Sequence, residues 1–589
     1  MSSWTQRERA RQTLAKEVGY ITKPHGHRLR IALAFPNTYW VGMSNLGFQT
    51  IYRLFNAEDD IVCERFFLPP RQELAELARA KAPLVTLESQ TPVGDFDVVA
   101  FSVSFEWDYV NVLTLLRLAG LPLYATERTT RHPLIVVGGA VTFVNPEPLA
   151  PFADVIAAGE GEALVPALGE AFSTATDRAD LLKRLAIARG FYVPSFYEPR
   201  YAPDGTLAGY TVRPDVTPPV STGADLPPLP VRKAALRTTE AVDPPATSIF
   251  TPDTEFGSRF LVEVVRGCAN LCRFCWAGYN YLPVRAFPAD RILDLAGRAR
   301  AHASRVGLVS IALCDHPDIE RILARLNEMG YAISPASLRL DDLTPTIVSL
   351  LRASGERTIT IAPETGSDRL RRVINKTVTN DEILDRVELI FASGIENLKL
   401  YYMIGLPTET DDDLDAIRDL TLQMRAHMLK HARSKGQIGR IVGSVNPLIP
   451  KPGTAYQWLP MADPAVVDRR IKRLRTLMAE IDNVYFNIKS ERHSYYQALL
   501  SLGDRRVAPA IVAAEKNGQN WRAAVAETGI DDEFYIFRDR TNDAMLPWDI
   551  IDGGMKASFF RAEFAKGLRE EWTLPPKRAQ ENLRLLPVL

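Results

Sequence analysis

Three of the five cysteines of this chain lie within eight residues, and this cluster constrains the protein more than any other feature of the sequence. Cys268, Cys272 and Cys275 follow a C-x3-C-x2-C spacing in the segment Gly-Cys-Ala-Asn-Leu-Cys-Arg-Phe-Cys. The apolar run at 260–265, directly before this segment, predicts a buried strand. The cysteines therefore lie on the loop that leaves a strand, and three thiolates come within reach of one metal centre.

The number of thiolates indicates which centre they suit. A closed structural zinc site takes four ligands, and no fourth cysteine or histidine lies near the motif. Three thiolates suit a [4Fe–4S] cluster in which one iron keeps an open position. A buried structural trio and a partial zinc knuckle are the alternatives, and the strand-to-loop context favours the iron–sulfur cluster.

The composition excludes several classes of function. Hydrophobic residues make up 46% and charged residues 24% of the 589 residues, which is typical of a soluble globular protein of about three or four domains. A net charge of −1 provides no basic field that would recruit nucleic acid or a membrane surface. We find neither a signal peptide nor an apolar stretch near the roughly 18 residues that span a bilayer.

The cysteine usage also predicts a compartment. Five cysteines, three of them clustered, argue against a disulfide framework. An exposed iron–sulfur cluster needs a reducing interior, and we therefore expect the protein in the cytoplasm.

Strands and helices alternate through the N-terminal part, after a polar helix and tail at 1–28. Apolar runs that end in glycine or proline predict strands, and helical periodicity predicts the helices between them. The predicted strands are 30–35, 97–103, 133–137 and 154–158, and the helices are 47–56, 109–119 and 162–172. This order predicts a doubly wound parallel sheet, Rossmann-like, over 29–195.

Glycine motifs stand at the carboxyl ends of two of those strands, where such sheets bind ligands. Gly138-Gly139 follows the third strand, and Gly159-Glu160-Gly161-Glu162 follows the fourth. Glycine also lets a strand turn tightly into a helix, so ligand binding and plain turn chemistry are both open here.

The alternation resumes at 257–490, after a proline-rich linker with short strands at 196–256. Six strands with intervening helices suit a partial (β/α)6 barrel, whose site lies at the carboxyl strand ends. The predicted strands are 260–265, 308–313, 333–338, 358–361, 397–402 and 441–446. The last region, 491–589, is predicted to be mostly helical and carries no catalytic pattern.

The cysteine spacing, with Phe274 before the last cysteine, resembles that of the radical S-adenosylmethionine (SAM) enzymes. The resemblance implies that Cys268, Cys272 and Cys275 ligate a [4Fe–4S] cluster whose open iron binds the amino and carboxylate groups of SAM. In that family an electron from the cluster cleaves SAM to methionine and a 5′-deoxyadenosyl radical. An electron donor such as flavodoxin or ferredoxin is implied as a partner.

Further SAM contacts are implied by the same resemblance, including one by Phe274. Residues 362–367 look like the fourth-strand SAM motif, which implies contacts by Glu364 and Ser367. Residues 403–407 resemble the segment beside adenine, which implies Gly405. A helix N-cap is the alternative for Ser367, and a strand-end turn is the alternative for Gly405.

The N-terminal series of motifs resembles the cobalamin-binding-type domain of many radical SAM proteins. The implied cobalamin contacts are Gly138, Gly139, Gly159, Glu160 and Gly161. The usual Asp-x-His-x-x-Gly motif is absent after the first strand. His25, His27 and His132 all precede strands and lie at the amino end of the sheet, so we expect cobalamin without a histidine lower ligand.

Together these features predict a cobalamin-dependent radical SAM enzyme that methylates an unactivated carbon of an unknown substrate. A non-methylating cyclase or mutase is one alternative, and an RNA- or ribosome-associated binding protein with a vestigial barrel is another. Near-neutral charge and the intact cysteine trio speak against the second. A methylthiotransferase is a third alternative, and it typically needs three further cysteines. Only Cys63 and Cys314 remain, which argues against it.

Two other patterns favour structural interpretations. Cys314 and His316 could ligate a metal, but a lone cysteine on a buried strand is more often a core residue. The basic set within 468–481 alternates with apolar residues at helical spacing, which predicts an amphipathic helix with a solvated face.

Overall fold

A six-stranded sheet forms the N-terminal part of the computed structural model, which describes residues 3–80, 82–213, 227–336, 338–341, 343–432 and 438–574. The strand order is β2-β1-β3-β4-β5-β6, and only β6 is antiparallel to its neighbour. The strands are β1 (Leu29–Phe35), β2 (Ile61–Phe67), β3 (Val98–Ser102), β4 (Leu134–Gly138), β5 (Val155–Ala157) and β6 (Phe191–Tyr192). The four predicted strands are present, and the doubly wound fold is confirmed.

The described residues of the N-terminal part form seven α-helices around this sheet. Because helices cover both faces, the parallel strands are buried almost throughout. The helices are α1 (Ser3–Leu14), α2 (Tyr39–Met43), α3 (Leu46–Ala57), α4 (Arg71–Ala80), α5 (Tyr109–Leu118), α6 (Gly161–Thr174) and α7 (Arg178–Ile187).

The edge strand β2 is missing from the sequence prediction, for a reason that the structure shows. Glu64 and Arg65 interrupt its apolar pattern, although every residue of the strand is buried. Arg65 is fully buried because its guanidinium pairs with Glu17 and with Glu88, each at 2.6 Å. A buried charge of this kind is tolerated only with such partners.

The described part of the predicted linker, which leaves out residues 214–226, holds three short strands. β7 (Tyr197–Tyr201) and β8 (Leu207–Val212) form an antiparallel hairpin, and β9 (Val231–Arg232) lies further along.

Among the residues that the structure describes, eight strands form the second part of the fold, in two sheets ordered β11-β10-β12-β13 and β14-β15-β16-β17. The Leu338 N–H donates to the Thr360 carbonyl at 3.1 Å across the gap between the sheets. The strands are β10 (Phe260–Arg266), β11 (Arg285–Ala286), β12 (Arg305–Ser310), β13 (Ala332–Pro335), β14 (Thr358–Glu364), β15 (Asn397–Ile404), β16 (Ile441–Pro447) and β17 (Val484–Ile488). All neighbouring strands are parallel except the β10–β11 pair.

The six predicted barrel strands are present, two of them shifted, and the described residues of this part contain two further strands, β11 and β17. β12 and β13 end earlier than predicted, and residues Leu313–Asp315 form a 3-10 turn. The parallel strand β17 was not predicted, because it is a half-exposed edge strand with mixed residues.

The barrel helices lie between these strands, and the basic set lies on α15, as predicted. Val467, Ile471, Leu474 and Met478 face the core, while Arg470 pairs with Glu409 at 2.8 Å. The helices are α8 (Trp276–Asn280), α9 (Ala289–Ala299), α10 (Ile319–Glu328), α11 (Pro345–Ala353), α12 (Asp368–Ile374), α13 (Asn380–Ala392), α14 (Asp411–Ala432) and α15 (Pro464–Met478).

Residues 491–574, the described part of the C-terminal region, are mostly helical, as predicted, and contact the preceding parts of the fold. Residues 575–589 lie outside the described residues. The Asn145 side chain donates to the carbonyls of Ser501 and Gly503, and β9 pairs with β18. The elements are α16 (Glu491–Leu502), α17 (Ala508–Lys516), α18 (Trp521–Thr528), α19 (Asp532–Ile536), β18 (Ile551–Asp552) and α20 (Ala557–Leu568). Within the described ranges, no helix combines the length and apolarity that a bilayer crossing needs.

Candidate functional site

The three cysteines lie on the loop between β10 and α8, which we call the cysteine loop (267–275). Gly267 opens it with a φ of +95°, and a Cβ there would lie 2.5 Å from the Tyr281 carbonyl oxygen. Leu271 also has a positive φ, of 50°. The three thiols lie close enough to interact, because Cys275 and Cys268 each raise the pKa of Cys272.

Burial and neighbouring charges shift the pKa of each thiol. Burial raises the pKa of all three, to about 11 for Cys275. The ammonium group of Lys376 lowers the pKa of each thiol and so opposes this effect. Lys376 is therefore placed to offset the negative charge of metal-bound thiolates.

The donor set fits a cubane cluster better than a single ion. Among the described residues, no three His, Cys, Asp or Glu side chains converge on a point where one metal ion could bind. A [4Fe–4S] cluster has a different requirement, because each cysteine ligates a different iron atom and the sulfurs need not converge. Three mutually close thiols on one loop, with a cation beside them, meet that requirement.

Glu364 lies beside the cysteines, at the end of β14. It has a φ of +67°, and its Oε1 lies 3.6 Å from the Nζ of Lys376. Burial raises the pKa of Glu364, and Lys376 opposes that shift. Glu364 in turn raises the pKa of Cys272 and Cys275, so the Glu364–Lys376 pair borders the thiols.

The other predicted SAM residues have partners within the protein. Ser367 is the N-cap of α12, where its Oγ accepts from the Leu370 N–H and donates to Asp413. The N–H of Gly405 donates to Glu409 at 2.7 Å in a strand-end turn. Phe274 packs against a small apolar cluster. Their contacts with SAM remain predictions.

A cavity of about 550 Å³ lies between the carboxyl edge of the N-terminal sheet and the barrel strands β10 and β12. It reaches Gly267, the residue before Cys268. The structure brings all five predicted cobalamin residues to its wall: Gly138, Gly139, Gly159, Glu160 and Gly161. Its volume is in the range of ligand-binding clefts, about 300–1,000 Å³.

Two of these glycines are required by the backbone. Gly139 has a φ of +98°, and a Cβ there would lie 2.4 Å from the Val103 carbonyl oxygen. Gly159 has a φ of +143°, and a Cβ there would lie 2.1 Å from the Ala234 carbonyl oxygen. Gly139 and Gly159 therefore both form tight turns and line the cavity.

Glu160 and Glu162 have a role that sequence reasoning missed, because they join the N-terminal sheet to the barrel. Arg266, the last residue of β10, contacts Glu162 at 2.8 Å and Glu160 at 3.1 Å. Arg285 contacts Glu160 at 2.7 Å. Burial raises the pKa of Glu160, but the two arginines outweigh this and hold it below its usual value. We call these four residues the inter-domain clasp.

His316 has two hydrogen-bond partners within the protein. Its Nε2 donates to the Phe287 carbonyl at 2.8 Å, and its Nδ1 accepts from the Asp318 N–H at 2.9 Å. Both ring nitrogens are therefore occupied. Cys63 is fully buried in β2, and Cys314 packs against the main core.

Parallel barrel strands with three cysteines on the loop after the first strand are the arrangement that the sequence resemblance to radical SAM enzymes predicts. Two family models match the chain: "Radical SAM proteins, N-terminal" over 47–194 and "Radical SAM superfamily" over 262–421. Together they cover more than half of the sequence. The chain belongs to the radical SAM superfamily.

Two curated relatives are similar to parts of the chain. An uncharacterised protein of Methanocaldococcus jannaschii is 28% identical over 432 residues, which cover 72% of this chain and 79% of that protein. The tRNA-2-methylthio-N(6)-dimethylallyladenosine synthase of Aeromonas salmonicida is 23% identical over 279 residues, which cover 43% of this chain. The second match spans 53% of that synthase, about half of its length.

Two solved structures are also similar. The cobalamin-dependent SAM radical enzyme OxsB, with aqua-cobalamin bound, has a TM-score of 0.45 at 15% identity and covers 67% of this chain and 52% of its own. The radical SAM methyltransferase TsrM from Kitasatospora setae has a TM-score of 0.42 at 14% identity. The match covers 70% of this chain and 72% of the TsrM chain.

Proposed function

We propose that the protein is a cobalamin-dependent radical SAM enzyme that methylates an unactivated carbon of its substrate. The observation that carries this proposal is the cavity that joins the carboxyl edge of the N-terminal sheet to the start of the cysteine loop. A cofactor at that edge and a SAM at the barrel mouth would face one shared chamber. Such a geometry suits a transfer between two reactive centres that must meet.

The residues at the barrel mouth have defined tasks in this proposal. Cys268, Cys272 and Cys275 hold the [4Fe–4S] cluster, which supplies the electron for SAM cleavage when it is bound. Glu364 accepts hydrogen bonds from the SAM amino group or ribose hydroxyls, and Lys376 pairs with the carboxylate of SAM. The Glu364–Lys376 pair is partly buried, with 13–15% of each side chain exposed, so the pair stays accessible to a ligand at the barrel mouth.

The N-terminal histidines support a cobalamin without a histidine ligand. No histidine is among the described residues that line the cavity. His25 bonds Glu64 at 2.7 Å, and His132 accepts from the Thr129 N–H at 3.0 Å. Both precede strands and so lie at the amino edge of the sheet, opposite the cavity.

Filling the cavity tests the proposed function. Ala140 lines the cavity on the short turn after Gly139. We expect Ala140→Trp to lose bound cobalamin at least tenfold in an equilibrium binding titration, because the indole occupies the space of the corrin. The cluster iron content of this variant should stay at the wild-type level.

Ala465→Trp is the matched control, because Ala465 is exposed in the first turn of α15. It should bind cobalamin like the wild type. Equal binding by Ala140→Trp and the wild type would contradict this placement. Failure of the wild type to bind cobalamin would favour the non-methylating cyclase or mutase.

Glu364→Gln should weaken SAM binding to the reconstituted protein by about 1.5–3 kcal/mol, the cost of one charge-assisted hydrogen bond. The measurement is equilibrium dialysis of SAM under anaerobic conditions. Glu396→Gln is the control, because Glu396 pairs with Arg357 at the opposite end of the barrel. Unchanged SAM affinity in a folded Glu364→Gln variant would assign Glu364 a structural role.

The partner and the compartment are also proposals. An enzyme of this class needs a one-electron donor, such as flavodoxin or ferredoxin, to reduce its cluster. A cluster with an open iron also needs a reducing environment, which supports a cytoplasmic location.

A further inference from the structure

We propose that the C-terminal segment 557–574 is a clamp that positions the cysteine loop, with Arg273 and Glu563 as its positioning residues. This inference rests on the proposed cluster, because the clamp acts on the loop that would hold it. The arginine lies between Cys272 and Cys275 in the sequence, yet its side chain points away from solvent and is fully buried.

The guanidinium of Arg273 joins three segments of the chain. Its Nη1 donates to the carbonyls of Arg372 at 2.6 Å and Val373 at 3.0 Å, at the end of α12. Its Nη2 donates to the Glu571 carbonyl at 2.9 Å. Its charge is balanced by Glu563 on α20, whose Oε2 lies 3.1 Å from Nη2.

Asn375 makes a second connection between the same three segments. Its φ is +54°, and its side-chain amide donates to the Leu271 carbonyl at 3.3 Å in the cysteine loop. Its Oδ1 accepts from the Thr573 N–H at 2.9 Å. The Thr573 hydroxyl then donates to Glu563 at 2.7 Å, which closes the network.

Close packing holds α20 against this network. A Cβ at Gly567 would lie 2.9 Å from the Oη of Tyr456 and 3.1 Å from the Cδ of Arg273. The ring of Phe560 meets Tyr279 edge-on at 5.1 Å, and the Tyr279 hydroxyl donates to the Leu271 carbonyl at 2.9 Å.

The clamp also positions Lys376, which lies beside the predicted SAM contact Glu364. Lys376, whose ammonium group lies 3.6 Å from the carboxylate of Glu364, directly follows Asn375. One network therefore fixes both the loop that presents the thiols and the backbone that presents Lys376. Nothing in the spacing of the cysteines requires this network, and it involves residues up to 300 positions away in the chain.

Hydrogen exchange of the iron-free protein tests the clamp without any cofactor. Glu563→Gln is nearly isosteric but leaves the buried Arg273 without its counter-charge, and Arg273→Met removes the donors themselves. We expect amide exchange in 267–275 and 371–376 to become at least tenfold faster in both variants, while β15 and β16 stay protected as in the wild type.

Arg540→Met is the matched control. Arg540 is also buried in the C-terminal region, but it donates to the carbonyls of Tyr535, Leu459 and Arg538 and not to the cysteine loop. It should leave exchange in 267–275 within about twofold of the wild type. Wild-type exchange in both clamp variants, or equal acceleration by Arg540→Met, would overturn the proposal.

A second readout tests what the clamp does for the cluster. After anaerobic reconstitution, Glu563→Gln should release iron to a chelator at least tenfold faster than the wild type, and Arg540→Met should not. Equal release rates in all three proteins would refute a positioning role. If the wild type takes up no iron, the proposed cluster fails, whereas the exchange experiment still decides whether the clamp exists.

Discussion

Replacing Cys268, Cys272 or Cys275 by alanine is expected to lower the iron content of the reconstituted protein from about four atoms per chain, the content of one [4Fe–4S] cluster, to nearly none. A [4Fe–4S] cluster held by three protein thiolates keeps one iron open for SAM, so each of the three cysteines is needed. No other described cysteine lies on the cysteine loop to replace one of them. Anaerobic iron analysis and the visible absorption of the cluster measure the loss, and SAM cleavage should disappear with it.

The two remaining cysteines provide the controls for this experiment. Cys63→Ala and Cys314→Ala should keep both the iron and SAM cleavage, because Cys63 lies in β2 and Cys314 packs against the main core. The far-ultraviolet circular dichroism of every variant should match that of the wild type. One motif variant that keeps four irons and cleaves SAM would refute the assignment.

Arg266→Met should destabilise the protein by about 3–5 kcal/mol, the cost of removing one partner from a buried ion pair. Arg266 is 8% exposed, and its guanidinium serves Glu160, Glu162 and Glu263 at once. Without it, Glu162 and Glu263 lose the cation that they share, and Glu160 keeps only Arg285 of the clasp. The shift of the first unfolding transition in urea measures the effect.

Arg298→Met is the matched control for the clasp. Arg298 pairs with Asp294 one turn away on α9, at 2.6 Å, and both side chains are more than half exposed. Solvent screening makes such a pair worth at most about 0.5 kcal/mol. Equal destabilisation by the two substitutions would contradict the inter-domain role of Arg266.

The clasp also predicts a dependence on pH. The pKa of Glu160 is lowered in the folded protein from its ordinary value of 4.5. The contribution of Glu160 to the free energy of unfolding is therefore fully present above pH 4.5. It is lost as the pH falls through the pKa that Glu160 has in the folded protein. Arg266→Met should weaken this acid sensitivity, because the arginine is one of the charges that lower the pKa.

The sequence alone determined the class of chemistry, because the features that carry it are local. Three cysteines on one nine-residue loop predict a metal centre without any knowledge of the fold. Periodicity and strand-end glycines likewise identify parallel α/β architecture, since each strand–loop–helix unit is encoded within some 30 residues. The sequence prediction misses β2 and β17, where charge or exposure interrupts the pattern, and the two-residue strands β6 and β11, which are too short to show a pattern.

The tertiary structure alone decided which charged residues hold the site together. Glu162 and Arg266 are 104 positions apart, and Arg273 and Glu563 are 290 apart, so no pattern in a single sequence pairs them. Each pair is buried, and a buried charge is stable only when a partner of opposite sign is brought to it. Folding supplies that partner, and this is why Glu160 joins two parts of the protein as well as lining a cavity.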